Sequence, residues 1–334
     1  MSSRYRVIIT DYGWPSVELE RQVLAEIGAE LIVAETGAED ELVALAPKAD
    51  GILTNWKPTT GNVIQAASEC KVIGRTGIGV DNIDVETATA LGIVVTNVPV
   101  FCVDEVSDHA MALLLTCARK VALLDRGVRD GEWDRDVGSS MHRMRGQTLG
   151  IIGLGKIGEA IPPKAKAFGL EVLAYTPRLT PQIAQKYGVE CTSLQELIAR
   201  SDFITIHAPL TPDTEGLIGE KELRKMKPTA YIINTSRGDI IDSTALHKAL
   251  TEGWIAGAAL DVLPQEPPAD DYPLLGLDNV VITPHAAFMS EESIYDLEVK
   301  AATAVAQVLT GQMPESIVNP QVLENPVLRA KQLR

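Results

Sequence analysis

"TLGIIGLGKIG", residues 148–158, is the stretch on which the fold turns. Its first five residues are an apolar, β-favouring run. The rest places glycines at 153, 155 and 158 and opens the helical pattern "KIGEAIPPKAKAFG". Between a strand and a helix each glycine has a steric task. Gly153 permits a tight turn, Gly155 lets the backbone approach a pyrophosphate, and Gly158 allows close helix–strand contact. The amides at the helix start then face the phosphates. The plain alternative is a glycine-rich turn that binds nothing.

Two features depart from the usual pattern. Pro162 and Pro163 fall inside the helix, where an interior proline costs about 3 kcal/mol, so a kinked or re-routed helix is expected. An Asp or Glu about 20 residues beyond the glycines normally accepts a hydrogen bond from the adenosine 2′-hydroxyl. Here "EVLAY" is followed by Thr176, Pro177 and Arg178. Without a carboxylate the repulsion against a 2′-phosphate is gone, and Arg178 can pair with one. Arg178 can equally be an exposed arginine with no ligand. The reading leans to NADP(H) over NAD(H).

Outward from this stretch, strand-like and helix-like segments alternate along the whole chain, which predicts an α/β fold with parallel sheets. "YRVIIT", "ELIVAE", "DGILTN", "KVIGR" and "IVVTN" occupy the first hundred residues. "EVLAY", "DFITIHA", "AYIINTS", "GAALDV" and "NVVITP" follow the glycine loop. Between the two series an amphipathic stripe (Val106, Ala110, Leu113, Leu114, Cys117, Val121, Leu124) predicts one long helix with Asp104 as N-cap.

At 334 residues the chain has room for two domains. Thirty basic against 45 acidic residues, a net charge of −15, argue against nucleic acid or an anionic membrane as partner. The start, "MSSRYRVIITDYG", has no apolar segment of signal-peptide length, and runs such as "MALLL" at 111–115 are too short to span a bilayer. Cys70, Cys102, Cys117 and Cys191 show neither metal-ligand nor disulfide spacing, so free thiols in the cytoplasm and no metal are expected.

Three later strands end in residues that carry chemistry: Arg237 in "NTSRG", Asp261 and Glu266 in "ALDVLPQEPP", and His285 in "ITPHAAF". Reduction of a carbonyl needs a hydride donor, a proton for the developing alkoxide and a group that orients the substrate. His285 suits the proton donor. Glu266, if it touches the imidazole, keeps it protonated through more of the working range. Arg237 can hold carboxylate and carbonyl oxygens in its planar fork. Singly, each has a bland reading: a core histidine, a solvated loop charge, half of a structural ion pair. His109 and His247 lie in helical patterns and His142 in a loop. His207, with Ala208 at the end of "DFITIHA", suits the lining of the cofactor pocket.

The order of "GLGKIG", "HAPLT", "NTSRG", "ALDV…EPP" and "TPHAA", with "RTGIGVDNID" at 75–84, resembles the D-isomer-specific 2-hydroxyacid dehydrogenases over nearly the whole chain. Through "TPHAAFMSEES" it is most similar to the branch that holds the C-terminal-binding-protein-like dehydrogenases. The resemblance implies two doubly wound parallel-sheet domains. A Rossmann nucleotide-binding domain (103–289) would be inserted in a flavodoxin-like substrate-binding domain (1–102 and 290–334), with cleft closure excluding water. It implies an oxidoreductase acting on a small 2-keto or D-2-hydroxy acid with NAD(P), with Arg237, Glu266 and His285 as the catalytic trio. Lys156 and Ile157 would lie at the pyrophosphate, Thr176 near the ribose, Thr235 and Ser236 along the cofactor, and Asp261 at the nicotinamide carboxamide. Amides at Gly77, Ile78 and Gly79 would hold the substrate carboxylate opposite Arg237. Asn55, Trp56 and Phe288 would line its pocket.

The family habit also implies a homodimer through the nucleotide-binding domains. Formate dehydrogenases carry glutamine where this chain has Glu266, and phosphite dehydrogenases carry lysine where it has Ile78. Long phosphoglycerate dehydrogenases add a C-terminal regulatory domain, for which no room is expected here, while their short forms stay open. The competing reading is an NAD(H)-sensing binding protein of the corepressor type with little turnover.

Overall fold

Continuous apolar runs become the inner strands of two all-parallel sheets, as expected where both faces of a sheet are covered by helices. The computed structural model describes residues 4–136, 140–177 and 180–333. The chain divides into two compact units, Met1–Phe101 with Ser290–Arg334, and Cys102–Met289. The first unit holds β1 (Tyr5–Ile9), β2 (Ala29–Val33), β3 (Gly51–Thr54), β4 (Val72–Arg75) and β5 (Val94–Thr96), in the spatial order β2-β1-β3-β4-β5. The second holds β6 (Thr148–Ile152), β7 (Glu171–Tyr175), β8 (Glu190–Cys191), β9 (Phe203–Ile206), β10 (Tyr231–Asn234), β11 (Gly257–Leu260) and β12 (Val280–Ile282). Their order is β12-β11-β10-β9-β6-β7-β8. Strands β3, β4, β9 and β11 are each buried along their full length.

Both sheets are doubly wound, and each reverses its strand order at one place: β1/β3 in the first unit and β6/β9 in the second. Ligands bind outside the carboxyl ends of strands at such reversals. The topology therefore selects the loops after β1, β3, β6 and β9. No helix among the described residues is long and apolar enough to cross a membrane.

The expected single stripe from Val106 to Leu124 is corrected by a break. One helix spans Val103–Arg119, Lys120 takes a left-handed φ of 51°, and a second helix spans Val121–Arg129. The first buries Val106, Ala110, Leu113, Leu114 and Cys117, whereas the second buries nothing, so the two helices have no common stripe to preserve. Cys102 occupies the N-cap without a side-chain cap. Asp104 lies in the first turn, where it complements the helix dipole instead of capping. The re-routing expected at the proline pair does not occur, because the Lys156–Ala167 helix runs through Pro162 and Pro163. The pair removes two donors, and burial of Ile161, Pro162 and Ala165 offsets the loss.

The 20-residue helix Glu291–Thr310 returns to the first unit and packs on β3, β4, β5 and the Glu18–Ala25 helix. Between the two helices lie Glu20, fully buried, and Glu298, 6% exposed. The Trp14 indole donates to Glu20 Oε1 at 3.0 Å, and no donor among the described residues reaches Oε2. Its neighbour is the Glu298 carboxyl, which burial, reinforced by the Glu20 carboxyl beside it, pushes up to about 7. A carboxyl raised in the folded state contributes fully below its unfolded value, loses that contribution as pH climbs, and has lost it above the folded value. Unfolding free energy should therefore fall between pH 5 and pH 8. Denaturant titrations at both pH values check this, and Glu298→Gln should abolish most of the difference.

Candidate active site

The glycine loop sits at the β6/β9 reversal. Gly153 has φ 94°, and a Cβ there would lie 2.6 Å from the Ala208 amide nitrogen and the His207 carbonyl carbon, so only glycine fits between these loops. A Cβ on Gly158 would meet the Gly153 carbonyl oxygen at 2.1 Å. Gly155, by contrast, is exposed, a Cβ added there would have nothing within 4 Å, and it forms the N-cap of the helix that starts at Lys156. Open backbone before a 12-residue helix is the arrangement a pyrophosphate needs. Lys156 is exposed and Ile157 half-buried at this turn.

Around the same reversal, two buried polar atoms have no hydrogen-bond partner among the described residues: His207 Nδ1 and Thr235 Oγ1. The other ring nitrogen of His207 contacts Thr205 Oγ1 at 2.9 Å, and burial drives the imidazole down to about 4, so it is neutral. Ala208 is 9% exposed, and Ser236 donates its hydroxyl to the Ile206 carbonyl at 2.9 Å. Thr176 is half-buried just past β7, and Arg178 lies outside the described residues. The exposed glycine turn and the two unmet polar atoms fit a dinucleotide.

Three strand ends carry the trio. Asn234, fully buried at the end of β10, accepts from the Ser236 amide (3.0 Å) and donates to the Arg237 carbonyl (2.8 Å), which fixes the turn that presents Arg237. A Cβ on Gly238 would fall 2.1 Å from the Leu263 carbonyl carbon, so glycine alone lets this turn touch the loop that follows β11. In that loop Glu266 divides its oxygens. One accepts from the Leu263 amide at 2.8 Å, and the other meets His285 Nδ1 at 2.6 Å. The Glu266 carboxylate accepts only, so Nδ1 carries the hydrogen. Burial acts to raise the Glu266 carboxyl. The His285 hydrogen bond and charge, the Leu263 amide and the Arg237 charge outweigh burial and hold it below its ordinary value. His285 has φ 52°, uncommon outside glycine, and Phe288 meets its ring edge-on with centroids 6.1 Å apart. Asp261, expected at a nicotinamide carboxamide, is 1% exposed, and both of its carboxylate oxygens accept from the turn that bears His285.

In the first unit the β1/β3 reversal carries Asn55 and Trp56. A residue that sequence reasoning passed over organises it. Asp11, just past β1, accepts from the amides of Asn55 (3.2 Å), Trp56 (2.8 Å) and Lys57 (3.2 Å). Nothing in "TDYG" signals this, because the partners are 44–46 residues away. Asn55 is 4% exposed with its side-chain oxygen bonded by Arg75 at 3.2 Å, while Trp56 is 44% exposed. Gly77 has φ 155°, and its carbonyl and that of Ile78 accept from the Val98 amide and the Asn97 side chain. Among the described residues none accepts from the amides of Gly77, Ile78 or Gly79. Three unspent amides in sequence make an anion-receptive turn.

Comparison with known proteins bears on the whole chain. The family model for the D-isomer specific 2-hydroxyacid dehydrogenase NAD binding domain matches residues 111–287. Glyoxylate reductase of Korarchaeum cryptofilum is 43% identical over 270 residues, covering 80% of this chain and 81% of that protein. D-3-phosphoglycerate dehydrogenase of Methanocaldococcus jannaschii is 41% identical over 316 residues, 94% of this chain, which spans 59% of that relative's length. The crystal structure of a glyoxylate reductase from Paecilomyes thermophila superposes with a TM-score of 0.86 at 28% identity, covering 96% of this chain and all of that one. Matching over both parallel-sheet units, with the glycine loop inside the matched region, makes this chain a member of the D-isomer specific 2-hydroxyacid dehydrogenase family.

Proposed function

We propose that the protein reduces small 2-keto acids of the glyoxylate, hydroxypyruvate or pyruvate class to D-2-hydroxy acids with a nicotinamide dinucleotide. The observation that carries this reading is the 2.6 Å contact between Glu266 and His285 Nδ1, on a carboxylate that also feels Arg237. The dinucleotide, when bound at the Gly153–Gly158 turn, supplies the hydride. His285 delivers a proton from Nε2 to the carbonyl oxygen as it becomes an alcohol, and Glu266 stabilises the imidazolium beforehand. Arg237 orients the acid through its carboxylate and carbonyl oxygens. In the first unit the amides of Gly77, Ile78 and Gly79 are assigned to the carboxylate, with Asn55 and Trp56 as pocket lining; Phe288 takes the same role beside His285. Lys156 and Ile157 are assigned to the pyrophosphate, and Thr235, Ser236, His207 and Ala208 to the rest of the cofactor.

Two finer assignments accompany this. NADP(H) is preferred to NAD(H), supported by Thr176 where a carboxylate would repel a 2′-phosphate. The protein is a homodimer through the nucleotide-binding unit, 103–289. Supporting this are exposed Val121, Val128 and Trp133 (83% exposed) and a cavity of about 350 Å³ lined by Cys117, Leu123, Phe203, Tyr231 and Val280. Buried, unpaired Cys70, Cys102 and Cys117 support the cytoplasm as its compartment.

The test follows nicotinamide absorbance with each cofactor over glyoxylate, hydroxypyruvate, pyruvate and 3-phosphohydroxypyruvate. Turnover of an unphosphorylated acid with a higher kcat/KM for NADPH is expected. Tight cofactor binding without turnover of any acid would favour the sensor reading, and a preference for NADH would overturn the cofactor assignment.

A further inference from the structure

His109 lies on the Val103–Arg119 helix, far along the chain from the trio, yet it reaches the turn that bears His285. Its Nε2 sits 3.0 Å from Thr283 Oγ1, and Thr283 Oγ1 sits 2.5 Å from Asp261 Oδ1. A threonine hydroxyl has one hydrogen, and an ionised carboxylate can only accept. The Thr283 hydrogen is therefore committed to Asp261, and His109 must donate Nε2–H to Thr283. The imidazole is also 3.6 Å from Asp261 Oδ1 directly. The tautomer of His109 and the rotor of Thr283 are thus determined together.

Asp261 passes this constraint on. Its Oδ1 accepts from the Ala286 amide and its Oδ2 from the Ala287 amide, each at 2.9 Å. Its carbonyl accepts from the His285 amide at 2.8 Å, and its own amide is held by the Asn234 carbonyl at 2.9 Å. Four bonds therefore fasten residues 283–287 to one fully buried aspartate, and His285 is kept at φ 52° inside that span. A bulky residue holds such a backbone only when its surroundings over-determine it. The last fastening, Thr283, is itself fixed from outside the turn by His109.

We propose that His109 and Thr283 are positioning residues for His285, acting through Asp261 to aim its imidazole. The inference rests on the dehydrogenase reading for its kinetic consequence and on geometry alone for its spectroscopic one. Misplacing a reacting group by about 1 Å can cost roughly 100-fold in rate.

Four variants test it: Thr283→Val and His109→Leu, which break the chain, and Thr283→Ser and His109→Gln, which keep its donors. With the best keto acid of the wild type, the first two should lower kcat about tenfold or more, while KM changes by less than about twofold. Ser and Gln should stay within about threefold of wild type. A low-field Nδ1 proton from the His285–Glu266 contact, identified by its absence from His285→Ala, should broaden or vanish in the Val and Leu variants. It should return in Ser and Gln. Unchanged kcat and an unchanged proton signal in Thr283→Val and His109→Leu overturn the proposal. So does a loss that merely tracks the folded fraction and is not rescued. If the wild type turns over no keto acid, the dehydrogenase reading fails by itself, and the proton signal still decides the positioning role.

Discussion

His285→Ala should lower kcat for keto-acid reduction by about 100- to 10,000-fold, with thermal stability near wild type. The magnitude follows from what the side chain does and does not do for the fold. His285 is half-buried, its ring bonds Glu266 and meets Phe288, and the turn around it is held by backbone bonds to Asp261 that alanine preserves. On the proposed reading, removing the imidazole therefore leaves the turn in place and takes away the proton donor. Glu266→Gln separates charge from hydrogen bonding. Glutamine can still accept from Nδ1, but it removes the negative charge beside the imidazole, so reductive turnover should fall by about tenfold or more. Steady-state kinetics, with circular dichroism to verify folding, check both variants. A His285→Ala protein retaining more than about a tenth of wild-type kcat would remove the histidine from the reaction.

What the sequence made legible was whatever carries a steric or chemical signature within a few residues. The spacing of Gly153, Gly155 and Gly158 announces a turn because no other residue fits there, and the Cβ clashes at Gly153 and Gly158 are the reason. Arg237, Glu266 and His285 stand out as charged or titratable groups at the ends of apolar strands. The supporting residues have no such mark. Asp11 organises the Asn55–Lys57 amides only because β1 and β3 are neighbours across a reversal of strand order. Asn234 looks like the end of a strand until its side chain is seen bracing the Arg237 turn. His109 reads as one more residue of a helix, since its partner Thr283 is 174 positions away. The helix break at Lys120 was hidden for a related reason. A left-handed lysine has no local signal, and the stripe through Val121 and Leu124 continues the helical period although that segment buries nothing. Local grammar thus locates the candidate groups, and long-range topology decides what holds them.

Arg237→Ala should reduce kcat/KM for the keto acid by about 1,000-fold, roughly 4 kcal/mol, with both kcat and KM affected. A guanidinium that grips a carboxylate and a carbonyl together contributes to ground-state binding through the first and to the transition state through the second, where negative charge grows. Arg237→Lys keeps the charge and loses the fork, so it should recover part of KM and little of kcat. A further effect follows from the neighbouring loop. The Arg237 charge is one of the influences holding the Glu266 carboxyl below its ordinary value, so its removal lets that carboxyl rise and protonate sooner. Residual activity of Arg237→Ala should therefore fall off at a higher pH on the acid side than wild-type activity does. Cofactor affinity, measured by quenching of protein fluorescence, should change by less than about twofold, because the Gly153–Gly158 turn and the Thr235 and His207 polar atoms are untouched. A variant that loses the dinucleotide while keeping its keto-acid KM would move Arg237 from the substrate to the cofactor.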